Sequence, residues 1–177
     1  MIAEGWISED EMTLVSKYMN KDIGSILEVG AANGRLFSFL YPLHPSWKYY
    51  AVDPWEQEQV RLQIDWNKDY FEKDNLKEII TKEMFVKNCP YAETYEVYFE
   101  NFYTEQKFDI ISLGLISKNI DWNFIYNIAY NMIAPGGKII GRNYNHKKYG
   151  ELIRSVANKF NVIEKCNGSF VIGEDNV

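Results

Sequence analysis

Short apolar runs alternate along the chain with stretches in which apolar residues recur every three or four positions. The runs predict strands buried in a sheet, and they are 25–29, 48–52, 94–98, 108–113 and 138–141. The other stretches carry the apolar stripe of helices packed on a sheet, and they are 12–19, 35–43, 71–88, 124–132 and 149–160. Strands that alternate with helices predict an α/β fold with a mainly parallel sheet and helices on both faces.

Polar residues mark where two of these helices begin. Ser8 and Glu11 form a capping box, with Ser at the cap and Glu three residues later, so a helix is expected after Ser8. Asp121 precedes another apolar stripe and is expected to be an N-cap. A role for Asp121 as a catalytic base is the alternative.

The end of the chain predicts a different connection. Residues 134–137 (APGG) predict a turn before the fifth strand. Two short strands, 161–164 and 169–172, flank Asn167 and Gly168, a pair favoured in tight hairpin turns. The sheet is therefore expected to end in an antiparallel hairpin, which distinguishes it from half of a dinucleotide dehydrogenase.

Length and composition narrow the class of protein. The 177 residues, 46% of them hydrophobic, are expected to form a single domain, 1–177. No apolar run approaches the roughly 20 residues that span a membrane, and the acidic beginning MIAEGWISEDEM lacks a signal-peptide pattern. We therefore expect a cytoplasmic protein with no membrane partner. Cys89 and Cys166 are expected to be unpaired thiols.

The charge of the chain argues against nucleic acid as a partner. The net charge is −6, and only four of the nineteen basic residues are arginine. No long basic run occurs, whereas binding to a phosphate backbone rests on clustered Lys and Arg. We therefore expect no nucleic-acid partner.

The segment 25–55 carries the candidate chemistry. Its first strand leads into a turn with Gly30 and Gly34, where the backbone can approach a ligand and a helix N-terminus faces it. Asp53 stands at the carboxyl end of the second strand, where an acid can accept hydrogen bonds from both ribose hydroxyls. This arrangement predicts a nucleotide-binding crevice.

Four motifs in this order resemble those of class I S-adenosylmethionine-dependent methyltransferases: EVGAANG at 28–34, Asp53, APGG at 134–137 and the hairpin pair at 167–168. Three stretches of the chain are similar to a small-substrate branch of this family, which has Val-Asp-x-Trp after the second strand. They are GWIS (5–8), VDPW (52–55) and GRNY (141–144). The resemblance covers nearly the whole chain. It implies a Rossmann-like, doubly wound, mostly parallel seven-stranded sheet with a C-terminal antiparallel hairpin and an N-terminal capping helix. That helix would cover either the cofactor side of the sheet or another exposed surface of it.

The resemblance also implies S-adenosyl-L-methionine as the cofactor, together with a pose. Glu28 would support the turn or reach the amino group of the cofactor through water, and Asp53 would hold the ribose hydroxyls. The turn under the methionine and ribose would consist of Gly30, Ala31, Ala32, Asn33 and Gly34. The residues beside the adenine and the methyl group would be Pro54, Trp55, Phe99, Glu100 and Leu113.

Two of these implied contacts have alternatives. Many relatives carry an acid at the position of Phe99, so backbone groups or Glu100 would have to read the adenine edge here. Trp55, like Trp66, is alternatively a packing anchor, since buried tryptophans most often serve the core.

His146 is the candidate general base, because it follows the fifth strand at the carboxyl end of the crevice. Asn143 and Tyr144 would orient the acceptor. The alternative for His146 is a solvated loop histidine. His44 and Asp109 are expected to have structural roles.

Metal-dependent relatives carry acids after the fourth and fifth strands. This chain has SLGL at 112–115 and RNY at 142–144 instead. The carboxylates that would hold a hard cation are missing, so no catalytic metal is expected.

The resemblance and these departures leave three functions open. The first is a methyltransferase that moves a methyl group to a small-molecule acceptor by in-line displacement, acting as a monomer or homodimer. The second is a catalytically silent scaffold or partner subunit that binds the cofactor. The third is a nicotinamide-dependent oxidoreductase, against which the wide glycine spacing and the terminal hairpin argue.

Overall fold

The computed structural model describes residues 7–56, 80–114, 121–145 and 150–173. Its strands form one seven-stranded sheet in the order β3-β2-β1-β4-β5-β7-β6. The strands are β1 (Ser25–Val29), β2 (Lys48–Val52), β3 (Glu93–Tyr95), β4 (Phe108–Leu113), β5 (Ile133–Gly141), β6 (Val162–Cys166) and β7 (Ser169–Ile172). The helices are α1 (Glu9–Tyr18), α2 (Arg35–Leu40), α3 (Lys82–Asn88), α4 (Trp122–Met132) and α5 (Gly150–Ala157), with a 3-10 turn at Phe99–Asn101.

The strand directions confirm the predicted fold class. Strands β1 to β5 pair in parallel, whereas β7 pairs antiparallel with both β5 and β6. The first strand lies between β2 and β4, so the strand order reverses beside it. In open α/β sheets, ligands bind outside the carboxyl ends of the strands at such a switch point. The fold therefore places a crevice at the ends of β1, β2 and β4.

The sheet is buried on both faces because side chains along each strand point alternately to opposite sides. Leu27 and Val29 of β1 join the apolar layer formed with α4 and α5. Ile26 joins the layer formed with α1, α2 and α3. Burial on both faces explains why β1 is apolar apart from Ser25 and Glu28.

Several element ends differ from the sequence-based expectation. The fifth strand begins at Ile133, because residues 134–137 form a bulge within it rather than a separate turn. Phe108 pairs with Ile133, and the next partner pair is Ile110 with Lys138. The third strand is three residues long and ends at Tyr95. The predicted helix at 71–88 is seen from Lys82, and residues 71–79 lie outside the described ranges.

The predicted helix caps are confirmed. Ser8 Oγ accepts the backbone N–H of Glu11 at 3.3 Å. The side chain of Glu11, which a capping box directs back to the cap, forms an ion pair with Arg142. Asp121 Oδ1 accepts the N–H of Phe124 at 3.2 Å, as expected of an N-cap.

His44 and Asp109 have structural contacts, as expected. Nε2 of His44 lies 2.8 Å from the hydroxyl of Ser16, and burial lowers the pKa of this histidine. Asp109 accepts the backbone N–H of Ser25 at 2.9 Å and pairs with Lys21. These contacts join the segment after α2 to α1, and the start of β4 to the start of β1.

The first helix is fastened to the terminal hairpin. Lys17 Nζ lies 2.7 Å from Glu164 Oε2, and the Tyr18 hydroxyl donates to the same carboxylate. The side chain of Asn167, at the hairpin turn, donates to Asp10 at the other end of α1. Elements from the two ends of the sequence therefore lie together. None of the helices in the described part of the chain is long and apolar enough to cross a membrane.

Candidate functional site

The turn between β1 and α2 has an unusual backbone. Three of its residues have positive φ: Gly30 at 77°, Ala32 at 48° and Gly34 at 82°. Glycine adopts this region freely, but an alanine there is strained. The strain at Ala32 is offset by a hydrogen bond from its backbone N–H to Asp53 Oδ2, 3.0 Å long.

Asp53 joins the turn to the end of β2. Its Oδ1 accepts the N–H of Trp55 at 2.7 Å, while Oδ2 accepts the N–H of Ala32. Burial raises the pKa of Asp53, although both backbone hydrogen bonds act to lower it. A carboxylate oxygen has two acceptor lone pairs, so each oxygen keeps one for a ligand.

Trp55 packs beneath the turn. Its indole N–H donates to the carbonyl of Ala32 at 2.8 Å, and its ring centre lies 5.4 Å from that of Phe85. The side chain is buried. These contacts are those of the packing anchor, whereas the predicted place of Pro54 and Trp55 beside an adenine stays a prediction. Trp66 lies outside the described residues.

Helix α3 supports the turn from behind. The side chain of Asn88 donates to the carbonyl of Asn33 at 2.8 Å, and the Cys89 thiol donates to the carbonyl of Gly34 at 3.3 Å. A methyl group built on Gly34 would lie 2.5 Å from the Cys89 sulfur. Gly34 is thus required both by its φ and by the close approach of this thiol. Sequence reasoning missed these contacts, because partners 55 positions apart leave no local pattern.

Glu28 is buried at the end of β1, within a group of charges. Its Oε1 lies 3.6 Å from Arg142 Nη2, and Arg142 also pairs with Glu11 of α1. Burial raises the pKa of Glu28 to about 8, opposed by Arg142 and reinforced by Asp53 and Glu11. The other oxygen, Oε2, has no hydrogen-bond partner among the described residues. Sequence reasoning assigned Glu28 to the site and the Glu11 side chain to a capping box, and it assigned Arg142 no role in the site.

The residues predicted beside the adenine follow β3. Phe99 is buried in the apolar layer on the α4 side, and Glu100 is half-buried. The Tyr98 hydroxyl donates to Glu56 at 2.6 Å, which links this segment to the one after β2. Leu113, at the end of β4, is buried, and the N–H of Gly114 donates to the carbonyl of Val29 at 2.8 Å.

The segment after β5 is tied to the hairpin. Asn143 has a φ of 64°, and the N–H of Tyr144 donates to the carbonyl of Gly168 at 2.7 Å. The Tyr144 ring is buried, with Lys165 Nζ 4.5 Å from its centre. His146 lies outside the described residues. Within the described ranges, no cluster of three or more His, Cys, Asp or Glu side chains could hold a metal ion.

Three parts of the predicted site lie together in the crevice. Backbone groups of the turn, the Asp53 carboxylate and the Glu28 carboxyl lie at adjacent strand ends. These groups suit a nucleoside that carries an amino-acid group. The Asp53 carboxylate can accept hydrogen bonds from a ribose diol, and the Glu28 carboxyl can accept one from an ammonium. The polar backbone of the turn lies between them.

Searches against protein-family models and curated proteins give no match. Solved structures do match. N-methyltransferase NodS from Bradyrhizobium japonicum WM9 shares 14% identity over 92% of this chain and 94% of its own, with a TM-score of 0.57. A structure of that enzyme with S-adenosyl-L-homocysteine matches with the same TM-score.

Two further structures match over 93% of this chain. Ribosomal protein L11 methylase from Lactobacillus delbrueckii subsp. bulgaricus is 12% identical, with 76% of its chain covered and a TM-score of 0.61. An S-adenosylmethionine-dependent O-methyltransferase from Thermotoga maritima is 10% identical, with 54% of its chain covered and a TM-score of 0.62. Likeness at such identities concerns the fold alone. The chain has the Rossmann-like fold of class I S-adenosylmethionine-dependent methyltransferases.

Proposed function

We propose that this protein binds S-adenosyl-L-methionine and transfers its methyl group to a small-molecule acceptor, without a catalytic metal. The observation that carries the proposal is the link between Asp53 and the positive-φ turn, in which one carboxylate fixes the turn of β1 at the end of β2. This link fixes the turn backbone relative to the acid, and such fixed geometry lowers the cost of binding a nucleoside.

Each part of the cofactor would contact a different set of residues. The backbone of residues 30–34 would lie under the methionine and ribose, and Asp53 would accept the ribose hydroxyls. Glu28 would receive the amino group, either directly or through water, because its Oε2 is buried and without a partner in the described structure. The adenine and the methyl group would lie near Pro54, Trp55, Phe99, Glu100 and Leu113.

When bound, the cofactor supplies a methyl group already activated on a sulfonium. The chain then has to align the acceptor in line with the methyl carbon and keep it at near-attack distance. Asn143 and Tyr144 would orient the acceptor, and His146 would remove its proton where the acceptor is a hydroxyl or an ammonium.

A small acceptor is favoured because the described elements all belong to the cofactor-binding fold. The sheet and its helices account for the described ranges, and no separate unit for recognising a macromolecule occurs within them. The small-substrate branch suggested by VDPW, a cytoplasmic location and a monomeric or homodimeric state are parts of this proposal.

A silent cofactor-binding scaffold is the second candidate. The observation that favours it is that the segment after β5 is already held: Arg142 pairs with Glu11 and lies 3.6 Å from Glu28, and the N–H of Tyr144 donates to the hairpin. Groups held in this way are less available to an acceptor than free side chains.

Calorimetry with S-adenosylmethionine, S-adenosylhomocysteine and NAD tests the cofactor. We expect both sulfur ligands to bind and NAD not to bind. If neither sulfur ligand binds, the proposal and its scaffold alternative are both refuted. If they bind, a screen of small metabolites with methyl-labelled donor separates the two, since a scaffold transfers no label.

Asp53→Asn tests the ribose contact, with the exposed Asp22→Asn as the matched control. Loss of charge-assisted hydrogen bonds, worth about 1.5–3 kcal/mol, should weaken S-adenosylhomocysteine binding roughly tenfold to hundredfold. Because Asp53 also holds the turn, the same variant is titrated with the 2′,3′-dideoxyribose analogue. An equal loss for both ligands would show that Asp53 acts through the turn and not on the ribose.

His146→Ala tests the base, with Lys147→Ala as the neighbouring control. We expect turnover to fall by roughly a hundredfold or more while the Kd of S-adenosylhomocysteine stays unchanged. Full activity in the variant would remove His146 from the mechanism.

A further inference from the structure

We propose that Glu11 and Arg142 are positioning residues of the cofactor site, which hold the Glu28 carboxyl so that it receives a positively charged amino group. On this view α1 is a wall of the site and not only a cover of the sheet. The inference rests on the proposed function, because it names the amino-acid end of the ligand as the group received.

Strand geometry brings the three side chains together. Glu28 alternates with Leu27 and Val29 along β1, so it faces the opposite layer, the one that contains Ile26 and α1. Its register partners on β2 and β4 are the small residues Ala51 and Ser112. Small neighbours leave the Glu28 carboxyl accessible to α1 and to the segment that follows β5.

Arg142 reaches Glu28 across the end of β4. A methyl group built on Gly114 would lie 2.9 Å from Arg142 Nη1, so the guanidinium lies directly against this residue. The side chains of Glu11, Arg142 and Glu28 are 10%, 12% and 4% exposed. The group is therefore buried at the switch point of the sheet, where ligands of this fold class bind.

The hydrogen bonding of the group is incomplete. Arg142 Nε contacts Glu11 Oε1 and Arg142 Nη2 lies 3.6 Å from Glu28 Oε1, whereas Glu28 Oε2 is buried with no hydrogen-bond partner among the described residues. Buried polar atoms are nearly always satisfied in native proteins. Buried ion pairs also contribute little to stability compared with apolar side chains of the same size. An ammonium that donates a hydrogen bond to Glu28 Oε2 would satisfy this oxygen.

The charges around Glu28 select the kind of ligand. Arg142 faces it from the end of β5, Glu11 from α1, Asp53 from the end of β2 and the Cys89 thiol from α3. With all acids ionised, three carboxylates surround one guanidinium, so the site favours a cation. Since the free carboxyl has a pKa of about 8, it holds a proton at neutral pH and gives that proton to solvent when an ammonium binds.

The test follows the binding of S-adenosylhomocysteine by calorimetry across pH 6–9, in two buffers of different ionisation enthalpy. We expect the affinity for S-adenosylhomocysteine to rise by up to tenfold per pH unit across the range in which Glu28 titrates. Binding in this range should release up to one proton from the protein. 5′-Methylthioadenosine, which lacks the amino-acid group, should show neither effect. Above the pKa of the ligand's own amino group affinity falls again, equally for every variant.

Two variants separate positioning from a general structural role. Glu11→Gln removes a negative charge and leaves Glu28 as the only carboxyl paired with Arg142 among the described residues. The pH midpoint of the Glu28 titration should therefore move to lower pH by about one unit. Arg142→Gln removes the positive charge, so the midpoint should move to higher pH by a similar amount. Glu9→Gln, an exposed change on the same helix, should leave it unchanged. Arg142→Lys should restore most of the wild-type midpoint.

The outcomes are distinct. Opposite shifts support the proposal, whereas shifts in one direction, no shift, or the same profile for 5′-methylthioadenosine overturn it. If a variant does not fold, a carbon-13 titration of the Glu28 carboxyl in the free wild-type protein decides: a midpoint near 4.5 overturns the proposal. Failure of the wild-type protein to bind S-adenosylhomocysteine at any pH would overturn the proposed function as well.

Discussion

Replacing Gly34 by Ala should destabilise the protein for two separable reasons. Its φ of 82° costs an L-residue about 1–2 kcal/mol. The new methyl group would also lie 2.5 Å from the Cys89 sulfur and 3.2 Å from Phe85 carbons, and overpacking of this kind costs about 1–3 kcal/mol. We expect a loss of about 2–5 kcal/mol in the free energy of unfolding, measured by chemical denaturation.

A double-mutant cycle isolates the packing contribution. Cys89→Ala alone removes one buried atom and should cost about 1–2 kcal/mol. In that background Gly34→Ala no longer meets the sulfur, so its cost should fall toward the backbone contribution of about 1–2 kcal/mol, with the contact to Phe85 as the remainder. The coupling free energy is expected to be about 1–3 kcal/mol.

Gly136→Ala is the matched control for this cycle. Its φ is 74°, but no atom lies within 4 Å of the added methyl group. It should therefore show the backbone cost alone and no coupling to Cys89. If Gly34→Ala and Cys89→Ala are additive to within about 0.5 kcal/mol, the described contact between α3 and the turn is wrong.

Two further predictions concern single side chains. Between pH 4.5, the ordinary pKa of a glutamate, and pH 8, its folded value, Glu28 holds a proton only in the folded state, so its contribution to stability falls as pH rises through this window. Between pH 6 and pH 8, the free energy of unfolding of the wild-type protein should fall by about 2 kcal/mol relative to that of Glu28→Gln. If the denaturation midpoints of the two proteins change equally with pH, this prediction is refuted. Asp121→Ala removes the cap of α4 and should cost about 1 kcal/mol in chemical denaturation, whereas Asp121→Asn should cost less than half as much.

The fold was predictable because its signals are local. Apolar runs of four to six residues, helical stripes and the Asn167–Gly168 pair each specify one element, and alternation of strand and helix leaves few topologies. The turn and Asp53 were predictable for the same reason, since each follows a strand. The bulge at 134–137 was not, because a glycine-rich turn and a bulge within a strand have the same composition.

The contacts that complete the site were hidden from the sequence. Glu11 was assigned to a capping box, yet its carboxylate reaches a guanidinium 131 positions further along the chain. Asn88 and Cys89 meet the turn 55 positions away from their partners. Such pairings depend on how helices are placed on the sheet, which the periodicity of a single segment does not encode.

The attachment of α1 to the terminal hairpin has a consequence for synthesis on the ribosome. Lys17 and Glu164 are 147 positions apart, so the first helix emerges long before the strand that fastens it. Until β6 and β7 are added to the sheet, α1 lacks this anchor, and Glu11 cannot meet Arg142 until the segment after β5 has been made. In a nascent chain the group of Glu11, Arg142 and Glu28 should therefore be completed only after the segment that follows β5 has left the exit tunnel.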